Sequence, residues 1–331
     1  REAARGAARH GSCGLGVGEA ASDVYEQRYG RVLRAKSITG RFDGRLPDVR
    51  ATLDELAWSL NQDFKELNLH KDALSIADAR PFFEAHAAGE EYIADIKTLL
   101  DQGLRIRDEA HLRDRTKLGP VIFEGAQGVL LDEWVGFHPH TTWSTTTADY
   151  ALHLWDCVGS GRNNMEIVGV TRCYQTRHGA GPMPSEAPLE GVLTKEHNGI
   201  GQWQGSFRVG HLDLMMLRYA LLMQPVDALA VTCLDELNPS LRVCDSYDNY
   251  SDRDGIERYP VSLRTSPAYF KNLERRTQEL FEARPNLIPC PHEPDEFLKF
   301  LEYNLEKKAR IASFGPTWLD KKERRELLTW K

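Results

Sequence analysis

Phe123–Asp132 reads FEGAQGVLLD, a carboxylate and a carboxamide set among glycines that let a backbone close on a planar ligand. Gln127 offers both a donor and an acceptor, which suits the edge of a purine better than a phosphate. Gly136–Thr147, GFHPHTTWSTTT, holds six hydroxyl residues in twelve, a density that commonly serves phosphate oxygens. His138 and His140 lie on either side of a proline in that stretch. With no carboxylate or cysteine at ligand spacing, they are expected to pack or to face phosphate, and no metal site is assigned. Thr176–Glu186, TRHGAGPMPSE, is a Gly/Pro-rich turn, and Gly201–Asp213, GQWQGSFRVGHLD, is a polar loop with one Arg ahead of a helix. Each could be a plain connection. Following consecutive strands, they read better as parts of one ligand face.

The elements that must position these stretches come in two textures. From about Arg50 to Arg115 the pattern is helical and heavily charged, as in ATLDELAWSLNQ and PFFEAHAAGEEYIADIKTLL, and predicts a helical layer. After Pro120, short apolar runs end in Gly, Thr or Asp: VIFEGAQG, MEIVGVTRCYQTRHGAG, ALAVTCLDEL and RIASFGP. Between them lie helical segments such as HLDLMMLRYALLM and DEFLKFLEYNLEKK, so α/β units around a largely parallel sheet are expected. In the helix from His211, the residues Leu212, Met215, Met216, Tyr219, Leu222 and Met223 fall on one face and read as core. GSCGLGVGE, from Gly11 to Glu19, has four glycines in nine residues and reads as a loop. Asp245–Gly255 reads as an exposed loop or hairpin, and no internal repeat or linker interrupts the chain.

Composition bounds the class. A chain of 331 residues with 41% hydrophobic and 27% charged residues can bury a core and is far from the disordered class. The net charge of −7 disfavours binding a nucleic-acid polymer or an anionic membrane, while clustered Arg could still hold small anions. Six scattered cysteines, without a CxxC pair, read as free thiols of a reducing cytosol. No apolar run approaches the roughly 20 residues of a membrane helix. The chain opens on Arg1 rather than Met, and REAARGAARH reads like the end of a helix, which suggests a fragment.

In this order, GSCGLGVGE, EGAQGVLLD, HPHTTWSTTT, TRHGAGP, FRVGHLD, TCLDEL and SFGP resemble the adenylosuccinate synthetase family over nearly the whole chain. The resemblance implies an α/β fold with a large, mostly parallel central sheet flanked by helices, related to the P-loop NTPases. It implies a single domain over 1–331 that lacks its amino-terminal phosphate-binding part, and a cytoplasmic homodimer. The implied activity is a carbon–nitrogen ligase of purine biosynthesis: a nucleoside triphosphate phosphorylates the purine O6, and L-aspartate then displaces phosphate at C6. Mg²⁺ and ATP or GTP are the implied cofactor and co-substrate, with charge stabilisation on phosphoryl oxygens as the main work. The family's GDEGKGK loop, with its catalytic Asp, and the acid His that follows have no counterpart here, so the chain alone is expected to bind weakly and not to catalyse. The alternatives are a non-catalytic nucleotide-binding paralogue or an inactive fragment.

Site residues carry over position by position. Ser12, Cys13, Arg28, Gln127, Thr142 and His178 match positions around the purine monophosphate, Arg28 by reaching the partner subunit's site. Gln202, Trp203, Gln204, Gly205 and Ser206 match the aspartate loop, and Arg208 its triphosphate-contacting Arg. Cys233 and Asp235 match the guanine-reading element, and Ser313 to Gly315 the loop closing over that base. Cys233 stands where the family has Lys, which opens the triphosphate site to ATP. Ser206 stands where the family has an Arg near the ribose. These departures look more like the phage-type branch, the 2-aminoadenylosuccinate synthetases acting on dGMP, than like the housekeeping enzyme acting on IMP.

Overall fold

The computed structural model describes residues 16–26, 51–55, 58, 86–159, 165–189, 193, 204–248 and 266–324. They fall into two compact units, Arg1–Ile122 and Phe123–Lys331. In the first, α1 is Val17–Glu26, α2 His86–Asp101 and α3 Glu109–Thr116. The glycine-rich stretch was expected to remain a loop to Glu19. Instead α1 starts at Val17, directly after Gly16 at φ 75°, a conformation that favours glycine. Ile93 and Ile96 of α2 are buried one turn apart. Asp108 caps α3 by accepting the His111 N–H at 3.2 Å.

The second unit carries the sheets. Its elements are α4 Asp149–Cys157, β1 Val168–Arg172, β2 Gln175–His178, β3 Phe207–Gly210, β4 Leu212–Asp213, α5 Leu214–Met223, β5 Ala228–Thr232, β6 Arg242–Tyr247, α6 Pro267–Phe281, β7 Pro285–Pro289, α7 Pro294–Leu305, β8 Ala309–Ser313 and β9 Lys321–Glu323. The main sheet runs β1-β5-β8-β9: β1 and β8 lie parallel to β5, and β9 closes the edge antiparallel to β8. The α/β reading holds, with a mixed sheet that is parallel through its first three strands. β4 and β7 flank β6, parallel and antiparallel to it, and β2 with β3 forms a separate antiparallel pair. Val231 of β5, Ala309 and Ala312 of β8, and Phe297, Leu298, Leu301 and Leu305 of α7 share one buried cluster. The α7 residues recur at helical spacing, so the helix covers the sheet with one face.

Three sequence expectations need correction. VIFEGAQG forms no strand: residues 121–126 pair with nothing among the described residues, and Ile122 is 89% exposed. MEIVGVTRCYQTRHGAG is two strands in two sheets, because the chain bends at the buried pair Cys173–Tyr174. The helix after His211 starts only at Leu214, since Leu212 and Asp213 pair with Val243 and Cys244 of β6; Leu222 is 39% exposed and leaves the core stripe. Of the expected loop 245–255, residues 245–247 belong to β6 and those from 249 lie outside the described residues.

Asp213 joins strand to helix. It is fully buried, caps α5 by accepting the N–H groups of Met215 and Met216 at 3.0 and 3.1 Å, and accepts the Tyr247 hydroxyl at 2.8 Å. Burial outweighs those bonds and pushes its carboxyl from the ordinary 3.8 up to about 6. Because the folded value lies above the unfolded one, the folded state holds the proton more tightly, and stability falls as pH rises through that interval. Asp213→Asn keeps the cap and removes the titration. It is expected to unfold about 1 to 3 kcal/mol less readily than wild type at pH 7 and to show a flatter urea midpoint between pH 4 and 6. Identical midpoint-versus-pH curves for the two proteins would count against this account.

Candidate functional site

Gln127 and Thr142 meet in the structure. Gln127 Nε2 donates to Thr142 Oγ1 at 3.3 Å, and that hydroxyl lies 3.5 Å from Ser144 Oγ. Gln127 is exposed, on a backbone at φ 66°, where non-glycine residues are strained, and such strain is characteristic of binding sites.

The hydroxyl loop is ordered by a residue to which no role was given from sequence. Asp132, the last residue of FEGAQGVLLD, is fully buried. One carboxylate oxygen accepts the N–H groups of Trp134 and Val135 at 2.8 and 3.1 Å; the other accepts those of Thr146 and Thr147 at 2.7 and 3.4 Å. The chain must pass so close to Asp132 at Gly136 that a Cβ there would lie 2.6 Å from the Asp132 carbonyl. Tyr219 and Tyr269 donate to the carbonyls of Val135 and Trp134, fixing the turn on α5 and α6. His138 packs as expected: a ring nitrogen lies 2.8 Å from the Glu133 carbonyl, its edge meets Phe270, and burial lowers its pKa. His140 sets its ring edge against Phe281.

The β2–β3 pair presents two guanidinium groups, for the register places Arg177 directly opposite Arg208. Arg208 uses four of its five donors: Nε and Nη2 donate to the two oxygens of Glu186, and Nη1 to the carbonyls of Gly179 and Gly181 at 3.1 and 2.7 Å. The guanidinium holds the Glu186 carboxyl below the usual carboxylate range. A Cβ at Gly179 would fall 2.7 Å from the Gln204 carbonyl, and the Gly179 N–H donates to Ser206 O at 3.3 Å, so the turn lies against the end of the expected aspartate loop. Ser206 itself is exposed, and Gly205 sits at φ 84°. His178 packs its ring at a tilt against Phe207, and its Nδ1 is buried with no hydrogen-bond partner among the described residues. Arg177 Nη2 donates to His140 O at 2.9 Å, which joins the hairpin to the hydroxyl loop.

A second group forms at the carboxyl ends of β5 and β8. Cys233 follows β5 at φ 58° and caps the short 3-10 turn Leu234–Glu236, on which Asp235 is exposed. Ser313 ends β8, and its hydroxyl donates to Gly315 O at 3.2 Å; Cys233 and Phe314 pack on the same core. A Cβ on Gly315 would lie 2.7 Å from the Asp320 carboxylate. Ser12, Cys13, Arg28, Gln202 and Trp203 lie outside the described residues. Asp132 and Glu186, missed as site organisers, each end a stretch quoted for other residues.

The family model for adenylosuccinate synthetase matches residues 1–320. The chain belongs to the adenylosuccinate synthetase family. It is 31% identical over 274 residues to the adenylosuccinate synthetase of Helicobacter pylori strain HPAG1, covering 76% of this chain and 62% of that protein. With that of Trichormus variabilis it shares 31% identity over 330 residues, 95% of this chain and 67% of the relative. The chain thus spans about two-thirds of the length of these relatives. The fully ligated adenylosuccinate synthetase from Plasmodium falciparum superposes over 96% of this chain and 71% of its own, with a TM-score of 0.62 at 18% identity, a likeness of fold.

In this family member the order of the hydroxyl loop hangs on Asp132. Asp132→Ala would leave four N–H groups, that of Val135 buried and the others partly so, without their acceptor, so a loss of about 3 kcal/mol is expected in urea unfolding, with Asp132→Asn intermediate. An unchanged unfolding midpoint in Asp132→Ala would rule out this role.

Proposed function

We propose that this chain supplies the purine- and aspartate-binding part of a ligase that joins L-aspartate to C6 of a purine monophosphate, driven by a nucleoside triphosphate. The observation that carries this reading is the Gln127–Thr142 contact, with Gln127 on strained backbone above an ordered hydroxyl loop, in a chain matched to the family over residues 1–320. The carboxamide would read the purine edge, and the hydroxyls of Thr142 and Ser144 would donate to its phosphate. Cys233, Asp235, Ser313 and Gly315 would receive the triphosphate's base, with either ATP or GTP accepted. For Arg208 to reach the triphosphate, its fork must leave Glu186. A homodimer in the cytoplasm is part of the same reading.

Mg²⁺ would arrive with the triphosphate. Among the described residues no three His, Cys, Asp or Glu side chains converge to hold a metal ion, and Mg²⁺ commonly keeps substrate phosphates and water as ligands. The described residues therefore do not form a metal cage, and their own contribution is to bind and orient the substrates.

Ser206 supports the deoxynucleotide branch of this reading, for a serine is too short to replace an Arg donor at the sugar hydroxyls. A buried donor left unpaired by a deoxyribose would cost on the order of 1 to 3 kcal/mol, and here that penalty is removed.

Turnover of IMP, GMP and dGMP with L-aspartate and either triphosphate tests these points in the protein carrying this chain. Gln127→Ala is expected to lose about 2 to 4 kcal/mol of transition-state stabilisation in kcat/KM while its melting temperature stays near wild type; full activity would sink the purine assignment. ATP is expected to serve at least as well as GTP, and strict GTP dependence would show that Asp235 outweighs the Cys233 departure. Wild type is expected to accept dGMP at least as well as GMP, and Ser206→Arg to shift the ratio toward GMP. A tenfold preference of the wild type for GMP, or an unmoved ratio in the variant, would remove Ser206 as a sugar determinant.

A further inference from the structure

Of the two guanidinium groups that face each other across β2 and β3, only one has an anion among the described residues. Arg208 is neutralised by Glu186 through a bidentate pair. Arg177, partly buried, makes two hydrogen bonds among the described residues, both to neutral carbonyls: Nε to Ala180 O at 3.1 Å and Nη2 to His140 O at 2.9 Å. Both Nη1 donors and one on Nη2 have no partner among the described residues. The fold makes room for this group. Gly181 lies at φ 122°, and a Cβ there would fall 2.1 Å from Arg177 Nη2, so the guanidinium occupies space that only a glycine leaves open.

We propose that Arg177 binds an anionic oxygen of a substrate, carboxylate or phosphate, with its free guanidinium edge. A planar fork fixed on one edge by carbonyls is well suited to meet an oxyanion with the other. Burial, with Arg208 adding to it, depresses the Arg177 guanidinium to about 10, well below its ordinary value, as fits a cation short of an anion. The carbonyl that holds Nη2 belongs to His140, two residues before Thr142, so an oxyanion on Arg177 would lie beside the hydroxyl loop. The inference rests on the ligase reading for which substrate brings the oxyanion, and not for the binding itself.

The experiment is calorimetry at constant ionic strength with three probes, inorganic phosphate, succinate and dGMP, on wild type, Arg177→Gln and Arg177→Lys. Arg177→Gln is expected to weaken at least one probe tenfold or more and to leave the ligand-free melting temperature unchanged or raised, because an uncompensated charge is removed from a partly buried place. Arg177→Lys keeps the charge without the fork and should fall between the two. It carries the test should Arg177→Gln not fold. A loss confined to phosphate and dGMP assigns the site to a phosphate; a loss confined to succinate assigns it to a carboxylate. The inference is overturned if wild type binds none of the probes, or if every affinity stays within twofold in the variants, including the case where Arg177→Gln merely melts earlier. Absence of turnover in the whole protein that carries this chain, with Arg177-dependent phosphate binding retained, would instead overturn the ligase reading and leave this one standing.

Discussion

The antiparallel register of β2 with β3 sets two like charges opposite each other, Arg177 and Arg208, and the arrangement of the site follows from how that is resolved. Glu186 takes Arg208, and it stands close enough because the chain after the TRHGAGP turn comes back along β3: Glu186 bridges to Gly210, and the Ser185 carbonyl accepts the His211 N–H at 2.9 Å. A side chain at Gly210 would collide with the Ser185 carbonyl at 2.6 Å. Close passage of backbone thus brings an anion to one guanidinium. Among the described residues the other has carbonyls alone, and through that of His140 it joins the hydroxyl loop.

That loop is held by a charge of the opposite sign. The Asp132 carboxylate draws backbone N–H groups from both ends of the stretch toward itself, so the segment between, Thr142 and Ser144 among it, is fixed without a strand or helix of its own. Thr145 adds a bond from its hydroxyl to Glu133 Oε1 at 2.7 Å. Spending a buried carboxylate on the backbone fixes the loop before a ligand arrives, and donors fixed beforehand need no reorganisation when charge appears beside them. Asp213 uses the same device at the head of α5, where three donors do not fully offset its desolvation.

What could be read from the amino acids was the chemistry of short stretches and the alternation of strand and helix. The helix at α7 and the strands at β5 and β8 follow from local pattern, whereas Gln127 and Thr142 are grouped only by the family resemblance. What could not be read depends on contacts distant in sequence. VIFEGAQG has the composition of a strand, but a strand exists only with a hydrogen-bonding neighbour, and none stands beside it among the described residues. Leu212 obeys the helical stripe and yet lies in β4, because pairing with Val243 overrides the local periodicity. Asp132 and Glu186 look like ordinary polar ends of glycine-rich stretches. Their roles come from partners 14 and 22 residues away, which no spacing rule indicates.

The two groups of site residues are joined by a short piece of chain. β1 ends at Arg172 and β2 begins at Gln175, so Cys173 and Tyr174 alone separate the main sheet from the strand bearing Arg177 and His178. Cys173 is held on the second group: its Sγ donates to Cys233 O at 2.9 Å and its N–H to Thr232 O at 3.2 Å. The backbone of Cys233 therefore has a structural task of its own. At φ 58° it anchors the segment that leads into β2, and a non-glycine residue there bears the cost of a left-handed conformation whatever its side chain. The Cys233 side chain is free to differ while its carbonyl keeps the same task. The end of β5 and the placing of the strand that carries Arg177 thus meet at one residue.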